Sequence, residues 1–332
     1  MSETNFVQFC QKWKNASFIF RNAVLRIGGV EKTVYHFAII LNSQDIIYCS
    51  SASFLPKFEI AQFTNLLIEQ LDSDNNWTLH KILLKSLEEE QTMKLLIRQK
   101  YDKTTKTKIQ FCILSDLGTG SAYGYQLLDR FFDHFLKEYP AETIASNLDE
   151  EKREEIKALG NLLFSTMFGS SYENMIKQIS QSECFPETNK ILYMGLSTHD
   201  GVPILSKIFK EGAQILNAKD ENRMSYLNTV LSGQLATISM NAFIRANTEL
   251  ISIQVITDDP DYKYIFFDFA RLGVDKSYVF EVISTGNPDY IINLKNEIAD
   301  ILDSFNVLQN PFMGQIKNYI PLIDVFEEYY AR

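Results

Sequence analysis

Ser197, His199 and Asp200 bring a hydroxyl, an imidazole and a carboxylate close together along the chain, the group types that nucleophilic catalysis requires. They lie on a stretch where Asp200-Gly201 separates two apolar runs, ILYMGLST and VPILSKIF, and Asp-Gly between such runs is the strongest short-range hairpin signal. Neighbours along a hairpin do not stack as nucleophile, base and orienter, so a turn is expected there and not a triad. Gly118-Thr-Gly-Ser-Ala-Tyr-Gly124 follows a strand pattern and precedes a helical one, the setting in which glycines let backbone amides approach a phosphate. Its spacing is GxGxxxG, outside a parallel βαβ unit, and it reads as a loop entering a helix. No GxxxxGK[ST] occurs, so the chain is not itself a P-loop GTPase. Asp258-Asp-Pro-Asp261 lacks the donor order of a calcium loop and reads as a hairpin tip, and Asp220, Glu221 and Arg223 read as helix capping and solvated charge. Cys10, Cys49, Cys112 and Cys184 form no CxxC and read as buried, reduced thiols. These residues nominate no catalytic, cofactor-binding or metal-ligating set, and the expectation is a protein that is not an enzyme and needs no cofactor.

The chain that must position them has 332 residues, 45% of them hydrophobic and 13% aromatic, enough for about two domains. Phe 24 and Tyr 16 against Gly 14 and Pro 8 leave little room for linkers or disorder. A net charge of −10 repels a phosphate backbone and argues against nucleic acid as partner. Lys100, Lys103, Lys106 and Lys108 cluster on an expected hairpin and could touch an anionic membrane locally. No stretch approaches the ~18 apolar residues of a membrane span, so a cytoplasmic protein with no integral membrane segment is expected, peripheral membrane contact being compatible with it.

The elements repeat. Val34–Leu41 and Ile46–Ser50 read as a hairpin, Phe58–Leu71 as a helix, Trp77–Leu84, Met93–Lys100 and Lys108–Leu114 as strands, and Tyr123–Tyr139 as a helix with an apolar stripe. From Ile191 the order recurs: a hairpin, a long helix over Tyr226–Ile244, strands at Leu250–Ile256, Tyr262–Ala270 and Ser277–Ile283, and a helix at Asp289–Phe305. In the first of these strands Ile251, Ile253 and Val255 are expected to point inward. Both copies read β-β-α-β-β-β-α. The expected fold class is α+β, two tandem α/β sandwiches, each a five-stranded antiparallel sheet with flanking helices. The boundaries are a first domain at 1–145, a helical connector at 146–186, a second domain at 187–309 and an amphipathic tail at 310–332. In the tail Ile316, Tyr319, Ile320, Ile323, Phe326 and Tyr330 form a stripe interrupted by Pro321, expected to lie back on its own domain.

This order resembles the longin domain, and the compact second copy, opening on Leu196–Phe209, is similar to the roadblock domain of archaeal double-longin and roadblock proteins. The resemblance implies a profilin-like fold and non-catalytic modules that pair with one another, bind Ras-like small GTPases, or act in nucleotide exchange and membrane traffic. Within the long helix, Met224, Leu227, Leu231, Leu235, Ile238 and Ala242 make one apolar stripe, while Tyr226, Val230, Met240 and Ile244 make a second that one sheet cannot also cover. The second stripe is the candidate partner interface. The leading expectation is a scaffold for a small GTPase or a partner longin or roadblock protein; the alternative is a small-molecule sensor of PAS- or GAF-like build, which needs an apolar pocket of ~300 Å3 or more.

Overall fold

The computed structural model describes residues 23–27, 30–72, 76–89, 91–102, 104–116, 121–140, 143–144, 148–169, 185–186, 188–216, 218 and 220–331. In chain order these form β1 (Ala23–Ile27), β2 (Val30–Leu41), β3 (Asp45–Cys49), α1 (Leu55–Leu71), β4 (Trp77–Ser86), β5 (Thr92–Asp102), β6 (Thr107–Ser115), α2 (Ser121–Glu138) and α3 (Glu150–Gly169). The second half supplies β7 (Lys190–Thr198), β8 (Pro203–Ile208), α4 (Lys210–Ile215), α5 (Glu221–Ile244), β9 (Thr248–Thr257), β10 (Tyr264–Leu272), β11 (Tyr278–Thr285), α6 (Pro288–Asp303) and α7 (Leu322–Ala331). The repeated β-β-α-β-β-β-α order is therefore present, with β1 added before the first copy and α4 inserted in the second. The glycine loop Gly118–Gly124 lies largely outside the described residues, as do Cys10, Lys103 and Cys184.

The chain divides into two compact units, Met1–Ala52 with Arg98–Ser180, and Ser53–Ile97 with Gln181–Arg332. That grouping departs from the sequential boundaries expected above, because Ser53–Ile97 belongs with the second half. In the first unit β2 pairs with β6 along one edge and with β1 and then β3 along the other, all antiparallel. Its core is aromatic: Phe37 and Phe111 on the sheet meet Phe131, Phe132 and Phe135 of α2 at centroid distances of 4.4–5.4 Å, within the range in which offset and edge-on rings attract. Helix α3 packs on β3 where Gly160 lies under the Tyr48 ring, so close that a Cβ there would stand 2.7 Å from it. Tyr48 also donates to Asn161 Oδ1 at 3.1 Å. Of the lysines expected to cluster, Lys108 is buried, while Lys100, over the Phe132 ring, and Lys106, in the β5–β6 turn, are exposed.

In the second unit the expected five-stranded sheet per domain is replaced by a larger antiparallel one. Strand β5, up to Ile97, pairs with β4, β4 pairs with β9, and the sheet continues through β10, β11, β7 and β8. The physical reason is edge satisfaction: β4 and β9 each present a row of backbone N–H and C=O groups, and pairing them leaves neither exposed. The β4–β9 register runs from Trp77↔Thr257 to Ser86↔Thr248 with two shifts, at Leu79/Lys81 and Leu83/Leu84. The second shift changes the inward set of β9, so Leu250, Ile253 and Val255 are buried while Ile251 is half-buried, in contrast to the simple alternation expected.

The two faces of this sheet carry different helices. Helix α1 packs on β4, and α5 packs on β7, β8, β9 and β11. On the other face α6 and α7 close a core in which Phe280 meets Phe326, Tyr278 meets Tyr319, and Leu302 and Leu308 are fully buried. The tail thus returns to its own unit. Pro321 turns its stripe: Tyr319, Leu322, Val325, Phe326 and Tyr329 are buried, whereas Ile316 and Ile320 of the expected stripe are exposed. Tyr330 stacks on Phe209 at 4.3 Å and donates to Glu211 Oε2 at 2.5 Å.

Candidate functional site

The residues that suggested a triad are not assembled. Ser197 is buried on β7 and donates to Glu281 Oε1 at 2.7 Å, while His199 is exposed in the β7–β8 turn with Nδ1 3.3 Å from the Ser277 carbonyl. Asp200 accepts from the Thr198 hydroxyl, and Gly201 takes the left-handed φ of +90° that closes the turn. Asp258–Asp261 sits in the β9–β10 connection, capped by Thr257, as a hairpin tip should. Asp220 caps α5 by accepting from the Arg223 amide at 2.8 Å. Among the described residues no cluster of His, Cys, Asp and Glu could hold a metal ion, and Cys49 and Cys112 are free thiols. No described helix is long and apolar enough to cross a membrane.

Two features missed in the sequence take the place of that motif. The first is a sealed polar cluster beneath α5. Strand alternation puts Tyr193, Gly195, Ser197 and Glu281 on the side that α5 covers, and Asn228 of α5 reaches the Ser206 carbonyl on the same side at 3.2 Å. Burial pushes the Glu281 carboxyl up to about 8, although hydrogen bonds from Ser197 and Tyr193 pull it down. Burial thus favours the protonated form of Glu281, and the same burial holds the Tyr193 phenol well above its ordinary value. Gly195 is small of necessity: a Cβ there would overlap the Tyr193 hydroxyl and stand 2.9 Å from Glu281 Oε2. The signal available in the sequence was the acid in Phe280-Glu281-Val282 flanked by apolar residues, with hydroxyls at Tyr193 and Ser197 on the paired strand.

The second feature is a groove between α1 and α5. These helices run antiparallel, as their cross-links show: Arg245 Nη2 meets Glu59 Oε2 at 2.7 Å at one end, and Gln234 Nε2 donates to Gln70 Oε1 at 2.8 Å further along. One face of α1 (Phe58, Ala61, Asn65, Ile68) is buried. Its other face, with Phe63 and Leu66, joins Val230 and Ile238 of α5 around a cavity of about 390 Å3 that also borders Gly233 and the Gln70–Gln234 pair. Its lining is mostly half-buried or exposed, so the groove opens to solvent. Thr237 spends its hydroxyl on the Gly233 carbonyl and Thr229 on the Ser225 carbonyl, and no charged side chain lines the groove. Gly233 stands in the middle of a 24-residue helix with nothing within 4 Å of where its Cβ would be, although glycine there costs about 1 kcal/mol relative to alanine.

The four candidate interface residues distribute unevenly. Val230 lines the groove; Met240 is half-buried with its sulfur close to Gly201; Tyr226 and Ile244 are 55% and 62% exposed. Pairing of the helices within one chain therefore covers only part of the second stripe. Comparison with family models, curated proteins and solved structures returns no significant match.

Proposed function

We propose that this chain is a non-catalytic docking scaffold of tandem longin/roadblock-like design, whose α1/α5 face receives a Ras-like small GTPase or a partner longin or roadblock protein in a nucleotide-exchange or membrane-traffic complex. The observation that carries the reading is the paired helix layer: α1 and α5 lie side by side over the β4–β9 joint and present an uncharged groove, and α5 further exposes Tyr226 and Ile244 toward its two ends. Exposed apolar side chains gathered around a concave feature are the usual mark of a protein-docking surface. The polar groups that resemble catalytic machinery favour the same reading, since Ser197 and Glu281 are sealed from any substrate. A small-molecule sensor is the second reading, and the groove's apolar lining and volume of about 390 Å3 meet the size such a site needs; its opening to solvent between two helices is what favours the docking reading.

The test is to mix the purified full chain with Ras-like GTPases of its own genome in GDP and GTP states, following binding by calorimetry and nucleotide release by fluorescence. Binding weakened about tenfold by Tyr226→Ala or Ile244→Asp is expected, the size of an ordinary interface contact. Absence of both binding and accelerated release across the set would sink the proposal.

A further inference from the structure

We infer that Arg271 and Glu281 are the two halves of a proton-controlled switch beneath α5: when Glu281 gives up its proton, Arg271 leaves the Phe243 ring and closes on the carboxylate, loosening the C-terminal end of the helix. The inference goes beyond the docking reading and stands whether or not that face receives a partner.

The register of β10 and β11 brings the pair together. Glu281 lies opposite Phe269 and Val279 opposite Arg271, so Glu281 and Arg271 are diagonal neighbours on one face of the sheet. Diagonal side chains start about 7–8 Å apart, within reach of a long one such as arginine. Both groups are costly where they stand. Arg271 lies 4.5 Å over the Phe243 ring, and its two terminal nitrogens are buried with no hydrogen-bond partner, an expensive setting for a group with five donors. Glu281 accepts from Ser197 at 2.7 Å, with the Tyr193 hydroxyl 3.4 Å from its second oxygen, and burial favours its protonated form. An ion pair would satisfy both groups at once, and what stands between them is the carboxyl proton, which must leave to water as the carboxylate forms. Among the described residues the other charges are placed elsewhere. The buried face of α5 carries no ionisable side chain; β7 turns Tyr193 toward Glu281, and Glu249 favours the Arg271 charge against desolvation. His199 stands edge-on to the Phe243 ring at 6.2 Å, Arg245 is engaged by Glu59, and Asp268 with Lys295 occupies the opposite face under α6. Phe243 is the penultimate residue of α5, where a cation also offsets the negative end of the helix dipole. Withdrawing Arg271 therefore removes two attractions from the helix end, while β11, paired by β10 and β7 on either side, stays fixed.

The test is an NMR titration of the full chain, isotope-labelled at glutamate carboxyls and phenylalanine rings, from about pH 5 to 10. The Phe243 ring signals are expected to shift with the same midpoint as the Glu281 carboxyl. Amides of residues 240–244 should exchange several-fold faster above that midpoint, after correction for the intrinsic base catalysis of exchange. In Glu281→Gln both should keep their low-pH values throughout. In Arg271→Gln the Glu281 midpoint should rise by about 1 pH unit, because the ionised carboxylate has lost its partner. His199→Gln controls for the histidine that shares the ring, and in it Phe243 and Glu281 should still titrate together. A Phe243 ring that holds its signal while Glu281 titrates would overturn the inference, as would a Glu281 midpoint unmoved by Arg271→Gln or a ring response that vanishes in His199→Gln. A Glu281 carboxyl already ionised at the acid end, or still protonated at the basic end, would overturn it too. Should Arg271→Gln fail to fold, the wild-type ring titration decides alone.

Discussion

The two faces of the second unit's sheet solve opposite problems. On the α6/α7 side, Phe280, Phe326, Tyr278, Tyr319, Leu302 and Leu308 interlock with almost no exposure, and the tail's last turn is tied down through Tyr330. On the α1/α5 side the helices leave a solvent-open groove above and enclose the Glu281 carboxyl below, its proton favoured by burial. A sheet that carries strain or openness on one face needs dense packing on the other, since native stability is a small difference between large terms. The tail is thus part of the fold, and α5 is the element on which fold and proposed function compete.

The comparison breaks most visibly at Phe326. Phe326→Ala should cost about 3–5 kcal/mol in denaturant unfolding, because a fully buried ring is lost from a packed core; a loss below about 1 kcal/mol would mean that the tail only rests on the surface. The next largest effect is electrostatic. The Glu281 carboxyl holds its proton to about pH 8 when folded, against an ordinary 4.5, so the folded state binds a proton that the unfolded state has released. Its contribution is complete below pH 4.5 and falls as pH rises through 8, with a slope approaching about 1.4 kcal/mol per pH unit. Asp268, raised from 3.8 to about 6 by burial against the pull of Lys295, has the same sign over a lower window. Urea titrations between pH 6 and 8 should therefore show wild type losing stability and Glu281→Gln staying nearly flat; parallel profiles would refute the buried neutral acid. The smallest effect is expected at Arg245→Ala. Its ion pair with Glu59 is half exposed and should be worth no more than about 1 kcal/mol, shrinking further in salt; a larger loss would make that pair a principal clasp between α1 and α5.

Element by element, the periodicity of the sequence was highly informative. Helices such as α5 and α6 and alternating strands such as β6 follow from local spacing, which the backbone reads directly. The partnership of β4 with β9 was not legible, since it joins residues more than 160 positions apart through backbone groups that every sequence shares. The inward turn of Leu250 depended on a register shift, and the rotation of the tail stripe on the stop imposed by Pro321. At the candidate site, Val230, Tyr226 and Ile244 stood out because one sheet cannot cover two stripes of a helix. Gly233 did not, because an isolated glycine acquires meaning only once its empty surroundings are known.

The β4–β9 joint has a consequence for stoichiometry. Because both strands belong to one polypeptide, dilution cannot separate them, and the helix layer they support exists at any protein concentration, unlike a dimer held by mass action. The two sides of the joint also differ in sequence and in helix length, 17 residues for α1 against 24 for α5. A two-fold symmetric pair would offer a visitor two equivalent poses. This platform offers one, so docking as proposed would seat one partner per chain, in a single direction.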